Sequence, residues 1–85
     1  MKQNQYRDLL LDTLLNITDK EHLEKLLSSL CTEKELDKMA QRLKVAQMFM
    51  SGAKYRDIVN ETNASTATLA KIKYDLFYGK KGLQV

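Results

Sequence analysis

The sequence has no proline, no tryptophan, three glycines and one cysteine in 85 residues. Without proline, and with few β-branched runs, little interrupts a helix and little favours a strand, so the composition points to an all-α fold. A lone cysteine, Cys31, excludes an internal disulfide. No apolar run approaches the roughly 18 residues of a membrane helix, and no signal-peptide pattern is legible, so the expected setting is a reducing cytoplasm without a membrane partner. His22 is the only histidine, and the glycines form no phosphate-cradling loop, which removes the usual footholds for general-base and nucleotide chemistry. Cys31 lacks a second cysteine or a basic partner and reads as a small buried hydrophobe, not as a nucleophile or zinc ligand. The expectation is a protein with no enzymatic activity and no metal.

At 85 residues the chain is expected to be a single domain. A chain this short buries about 60–65% of the surface its unfolded form exposes, a thin margin that oligomerisation would widen. Charge is distributed unevenly. Residues 1–63 hold ten Lys or Arg against ten Asp or Glu, whereas 64–85 hold Lys71, Lys73, Lys80 and Lys81 against Asp75, so the net +3 lies entirely in the last quarter. A basic segment on a neutral body suits a polyanion, or is a solvated face with no partner.

Three- and four-residue spacing of Tyr6, Leu9, Leu10, Thr13, Leu14 and Ile17 predicts a helix over roughly 4–17. Thr18 with Glu21 forms a candidate capping box for a second helix carrying Leu23, Leu26, Leu27 and Leu30. Thr32 with Glu35 forms another, opening a helix that runs to Ser51 and Gly52, with Met39, Met48 and Met50 as core fillers and Met1 as the initiator. On a wheel, Leu9, Leu10, Leu11, Leu14, Leu15 and Ile17 cover an arc near 240°, wider than one core-facing stripe. Such a helix needs a second covering surface: another copy, giving an intertwined homodimer, or its own chain wrapped around it. The expected division is dimerisation helices over 1–52, a helix-turn-helix over 53–79 and a tail over 80–85.

Ile58 and Val59 predict a short helix ending at Thr62, after which Asn63 can turn the chain sharply and Ser65 can cap a helix of about twelve residues ended by Gly79. Two helices joined by so short a turn make a helix-turn-helix, whose second helix can enter the major groove. On that helix Leu69, Ile72 and Leu76 point one way, and Ala67, Ala70, Lys71 and Tyr74 the other. Alanines let the backbone approach base edges, and Lys71 can reach a guanine or a phosphate. Ser65, Thr66 and Thr68 suit phosphate oxygens beside the helix N-terminus, with Lys54 and Arg56 placed to hold the DNA backbone. Each has a plainer role: a cap for Ser65, solvated hydroxyls for Thr66 and Thr68, and for Tyr74, the preferred reading, packing between helices or in the dimer.

The stretch 30–76 resembles the Trp repressor family through Leu30-Cys31-Thr32, Arg42, Gly52, Ile58, Asn60-Glu61 and Ala64-Ser65-Thr66-Ala67-Thr68-Leu69. The last run, followed by Tyr78-Gly79 and Gly82, is similar to the YerC/YecD-type branch of small bacterial relatives. The resemblance implies an intertwined all-helical dimer with a shared N-terminal core, and sequence-specific operator binding by the helix opening at Ser65. It also implies a corepressor pocket in which Thr32 and Arg42 match a threonine and an arginine of the tryptophan site. Lys71 falls at a second arginine, if one residue is deleted between Gly52 and Ile58, and Asp75 at a serine. Lysine has no planar guanidinium to stack on an indole, so no cofactor is expected to be required, with tryptophan or a similar molecule as the corepressor to test. The family's additional C-terminal helix is expected to be absent or reduced to the tail 77–85.

The expected function is therefore a DNA-binding transcriptional regulator, a repressor, with double-stranded DNA and a second copy of itself as partners. The alternative is a helical adaptor that uses the same helix pair on a protein, binds at moderate salt and ignores DNA.

Overall fold

In a computed structural model describing residues 2–85, the apolar spacing becomes five helices: α1 (Gln3–Asn16), α2 (Lys20–Leu30), α3 (Glu33–Met50), α4 (Tyr55–Thr62) and α5 (Thr66–Phe77). There is no strand among the described residues, so the fold is all-α as expected. The initiator Met1 lies outside the described residues. The chain forms two compact units, Met1–Leu36 and Asp37–Val85.

In the first unit no described residue is fully buried. Leu14, Ile17, Leu23, Leu26 and Leu27 are half-buried, whereas Leu9, Leu10, Leu11 and Leu15 stay in solvent, Leu15 with 80% of its surface exposed. The start of α2 departs from expectation. The cap is Asp19, whose carboxylate accepts the His22 amide at 3.0 Å, and not the Thr18 and Glu21 box. A carboxylate caps at least as well as a hydroxyl, and the shift leaves Glu21 in the first turn, where the helix dipole favours an anion. Cys31, expected to be buried, is only half-buried at the end of α2. The box opening α3 forms as expected: Glu35 Oε1 accepts the Thr32 amide at 2.8 Å, and the Thr32 hydroxyl accepts the Glu35 amide at 3.1 Å. The Thr32 amide first, and the Thr32 hydroxyl after it, hold the Glu35 carboxyl below its ordinary value.

The second unit has a true core: Val45 and Ala46 from α3, Ile58 from α4, Ala64 from the turn, and Leu69, Ile72 and Leu76 from α5. Burying side chains of this size contributes roughly 1.5–3 kcal/mol for each large one. Met48 packs against the core, but Met39 and Met50 are exposed on this chain, so two of the expected core fillers fill nothing here. α3 ends where Gly52, at φ 85°, donates to the Phe49 carbonyl and Ala53 to that of Met48. That double closure requires a left-handed residue, which glycine supplies without strain.

Candidate nucleic-acid interface

The turn between α4 and α5 is three residues long, and each has an identifiable task. Asn63 takes the left-handed conformation, φ 57° and ψ 23°, and its amide donates to the Val59 carbonyl at 2.8 Å. Ala64 is buried against the core, where a larger side chain would push the helices apart. Ser65 caps α5, its Oγ accepting the Thr68 amide at 3.1 Å while its hydroxyl donates to Thr68 Oγ1 at 3.0 Å. Gln41 of α3 fastens the turn by donating from Nε2 to the Thr62 carbonyl at 2.9 Å.

With α5 pinned at that end, its two faces separate sharply. Leu69 and Leu76 have no exposed surface and Ile72 nearly none, whereas Thr66, Ala67, Ala70 and Lys71 are exposed. A helix is about 10–12 Å across, a match for the roughly 12 Å width of the major groove. Lys54, the N-cap of α4, and Arg56 are exposed on the same unit. Thr68 stands apart from this stripe: it is half-buried, with its hydroxyl engaged by Ser65. Tyr74 does not pack between helices; it is 64% exposed, and its ring lies 5.9 Å from that of Tyr78. Lys73 has a partner the sequence did not suggest, lying 5.6 Å from the Tyr55 ring, which in turn meets Phe49 edge-on at 5.5 Å. The aromatic at Tyr55 and the cation at Lys73 are individually visible in the sequence, but their pairing depends on the angle between α4 and α5.

On the flank of α5 beside Thr68, a cleft of about 290 Å³ is lined by Arg42, Thr68, Lys71, Ile72, Asp75 and Leu83. It gathers three of the four residues named for a pocket: Arg42, Lys71 and Asp75. The fourth, Thr32, belongs to the first unit, where its amide and hydroxyl are both committed to Glu35. Leu83 was not anticipated. Its only sequence signal is an isolated apolar residue after Gly82 in a basic tail.

The Trp repressor protein family model matches residues 5–85. The chain belongs to the Trp repressor family. The uncharacterized protein YerC of Bacillus subtilis (strain 168) is 38% identical over 78 residues, covering 92% of this chain and 75% of that protein. A crystal structure of a Staphylococcus aureus protein assigned provisionally as a Trp repressor matches with a TM-score of 0.88 at 34% identity, over 94% of this chain and 80% of that one. These findings place the chain in the YerC branch of the family. Trp repressor relatives are helix-turn-helix DNA-binding regulators, not enzymes, and at that level so is this chain. No helix among the described residues is long and apolar enough to cross a membrane.

The cleft of this Trp repressor relative fits an indole poorly. It is lined by one guanidinium residue, Arg42, with Lys71 and Asp75, and no aromatic ring lines it. An ammonium is a point charge without a planar face, so Arg42 and Lys71 cannot form the flat slot a planar ring would need.

Proposed function

We propose that this protein is a sequence-specific DNA-binding transcriptional regulator, a repressor acting in the cytoplasm as a homodimer and requiring no cofactor. One observation carries the reading: α5 is anchored through Leu69, Ile72 and Leu76 and turns Ala67, Ala70 and Lys71 to solvent. Small residues near the start of a helix let its backbone reach base edges and thymine methyl groups, and Lys71, one turn on, supplies a donor for guanine or phosphate. Thr66, Lys54 and Arg56, exposed on the same unit, supply groups that bind phosphate oxygens and set register without reading sequence, whereas the Ser65 hydroxyl is spent on Thr68 in the cap. The exposed leucines of α1 support the homodimer, since apolar surface of that extent on so small a chain calls for a second copy.

Selection of bound sequences from a random DNA library tests the reading. The expected result is a two-fold symmetric motif with half-sites about one helical turn, or a multiple of it, apart. Log affinity should fall linearly with log salt, because each phosphate contact releases counterions. A failure to enrich any sequence at low salt, with or without amino acids present, overturns the reading. The adaptor function then stands, for which the exposed pair Tyr74 and Tyr78 provides a contact surface.

A further inference from the structure

The last residues do not trail into solvent; they fold back along α5. A helix leaves its final four carbonyls without partners inside the helix. Here the residues after α5 supply donors for three of them. Tyr74 O accepts the amides of Tyr78 and Gly79 at 2.8 and 3.0 Å, Asp75 O accepts that of Lys81 at 3.0 Å, and Leu76 O accepts the side-chain amide of Gln84. Gly79 eases the close approach, since a Cβ there would stand 3.0 Å from Asp75 Cα, a tight contact that the backbone would have to relieve. Lys81 adopts φ 60°, which L side chains rarely take, and Gly82 follows directly, so the fold-back outweighs an unfavourable local geometry. The segment closes by packing half-buried Leu83 against the hydrophobic core, where it lines the same cleft as Arg42 and Lys71.

We propose that residues 79–85 are a strap that positions α5, with Leu83 as its positioning residue, so that the outward stripe is aimed by the chain itself and not by a bound small molecule. Lys71 is shared by both sites: it lines the cleft Leu83 walls and stands in the stripe offered to DNA. Any movement of Leu83 therefore acts on the reading side of α5 through one side chain and one helix. The consequence for DNA rests on the function proposed above; the holding of α5 does not.

The test uses the full chain with Leu83→Asp, Leu83→Met and Gln84→Ala. Amide hydrogen exchange in the C-terminal half of α5 is expected to speed up roughly tenfold in Leu83→Asp and by a smaller factor in Gln84→Ala, with Leu83→Met near the parent. On the selected DNA site, Leu83→Asp is expected to lose about tenfold in the ratio of specific to non-specific affinity, while non-specific affinity, set by phosphate contacts, stays within about twofold. A merely structural role would lower both affinities together. Should Leu83→Asp fail to fold, Gln84→Ala, which removes one donor and leaves the core intact, carries both measurements. Unchanged α5 exchange in both variants overturns the strap. So does a gain of roughly tenfold in the parent's specific affinity on adding millimolar free tryptophan, which would mean that a ligand does the positioning. If the parent selects no DNA at all, the regulator reading fails while hydrogen exchange still judges the strap.

Discussion

The two units of this protein handle their apolar side chains in opposite ways. Around α4 and α5, seven residues reach near-complete burial, and the turn, the cap and the strap leave α5 little freedom. Around α1 and α2 no described residue is buried, and Leu9 and Leu15 keep 58% and 80% of their surface in water. The contrast teaches that the second unit has a core of its own, whereas the first leaves its leucines exposed, the surface on which the proposed homodimer rests.

The largest effect should come from attacking that surface. Leu9→Glu with Leu15→Glu should abolish assembly: four leucines in a two-fold pair, at roughly 1.5–3 kcal/mol each, come to about 6–12 kcal/mol. Sedimentation at micromolar concentration should change from a two-chain species to one of 9.8 kDa. A parent that already sediments as a single chain would break the contrast at its root.

Next in size is Leu69→Ala within the finished core, expected to cost about 2–5 kcal/mol in urea unfolding because the rigid surroundings cannot close over the gap. A cost no larger than that of a surface substitution would mean the second unit is less well packed than its burial indicates.

On DNA, Lys71→Ala should lose about 1–3 kcal/mol at the selected site and relax base choice, while Lys80→Ala should weaken every sequence alike and lower the salt slope by about one. Equal behaviour of the two variants would remove the reading role from the exposed stripe of α5. Ser65→Ala, which deletes the cap, should cost about 1 kcal/mol of stability by thermal unfolding.

The smallest effect is a pH dependence at the start of α3. Its bonds to Thr32 hold Glu35 below the ordinary value of 4.5, so the folded chain takes up that proton less readily than the unfolded one. The contribution is complete above the unfolded value and disappears as pH falls through the lower folded value. Melting curves from about pH 6 to about pH 3 should converge for the parent and Glu35→Ala at the acid end, and parallel curves throughout would show the box to be inert.

Much of this was legible in advance, because helix starts and apolar faces are local properties. The box of Thr32 and Glu35, the left-handed Asn63, the cap at Ser65 and the split of α5 into inward Leu69, Ile72 and Leu76 and outward Ala67, Ala70 and Lys71 all follow from spacing within a few residues. Competition between neighbouring acceptors misled at α2, where Asp19 took the cap from Thr18. Met39 and Met50 were mistaken for core because hydrophobicity says what a residue prefers and not what lies opposite it. Leu83 was missed for a related reason: the core it packs against and the cleft it lines are built from residues distant along the chain.

By itself, then, the sequence determined five helices, the capping box that opens α3 and the cap of α5, the all-α class, the outward stripe of α5, and the concentration of positive charge in its last quarter, since each depends on residues close together in the chain. Only the tertiary structure decided that Arg42, Lys71 and Asp75 share one cleft, that Lys73 lies over Tyr55, and that the tail turns back to place Leu83 against the core. Those pairings depend on how helices cross, which is set by the packing of side chains far apart in sequence and not by any local pattern.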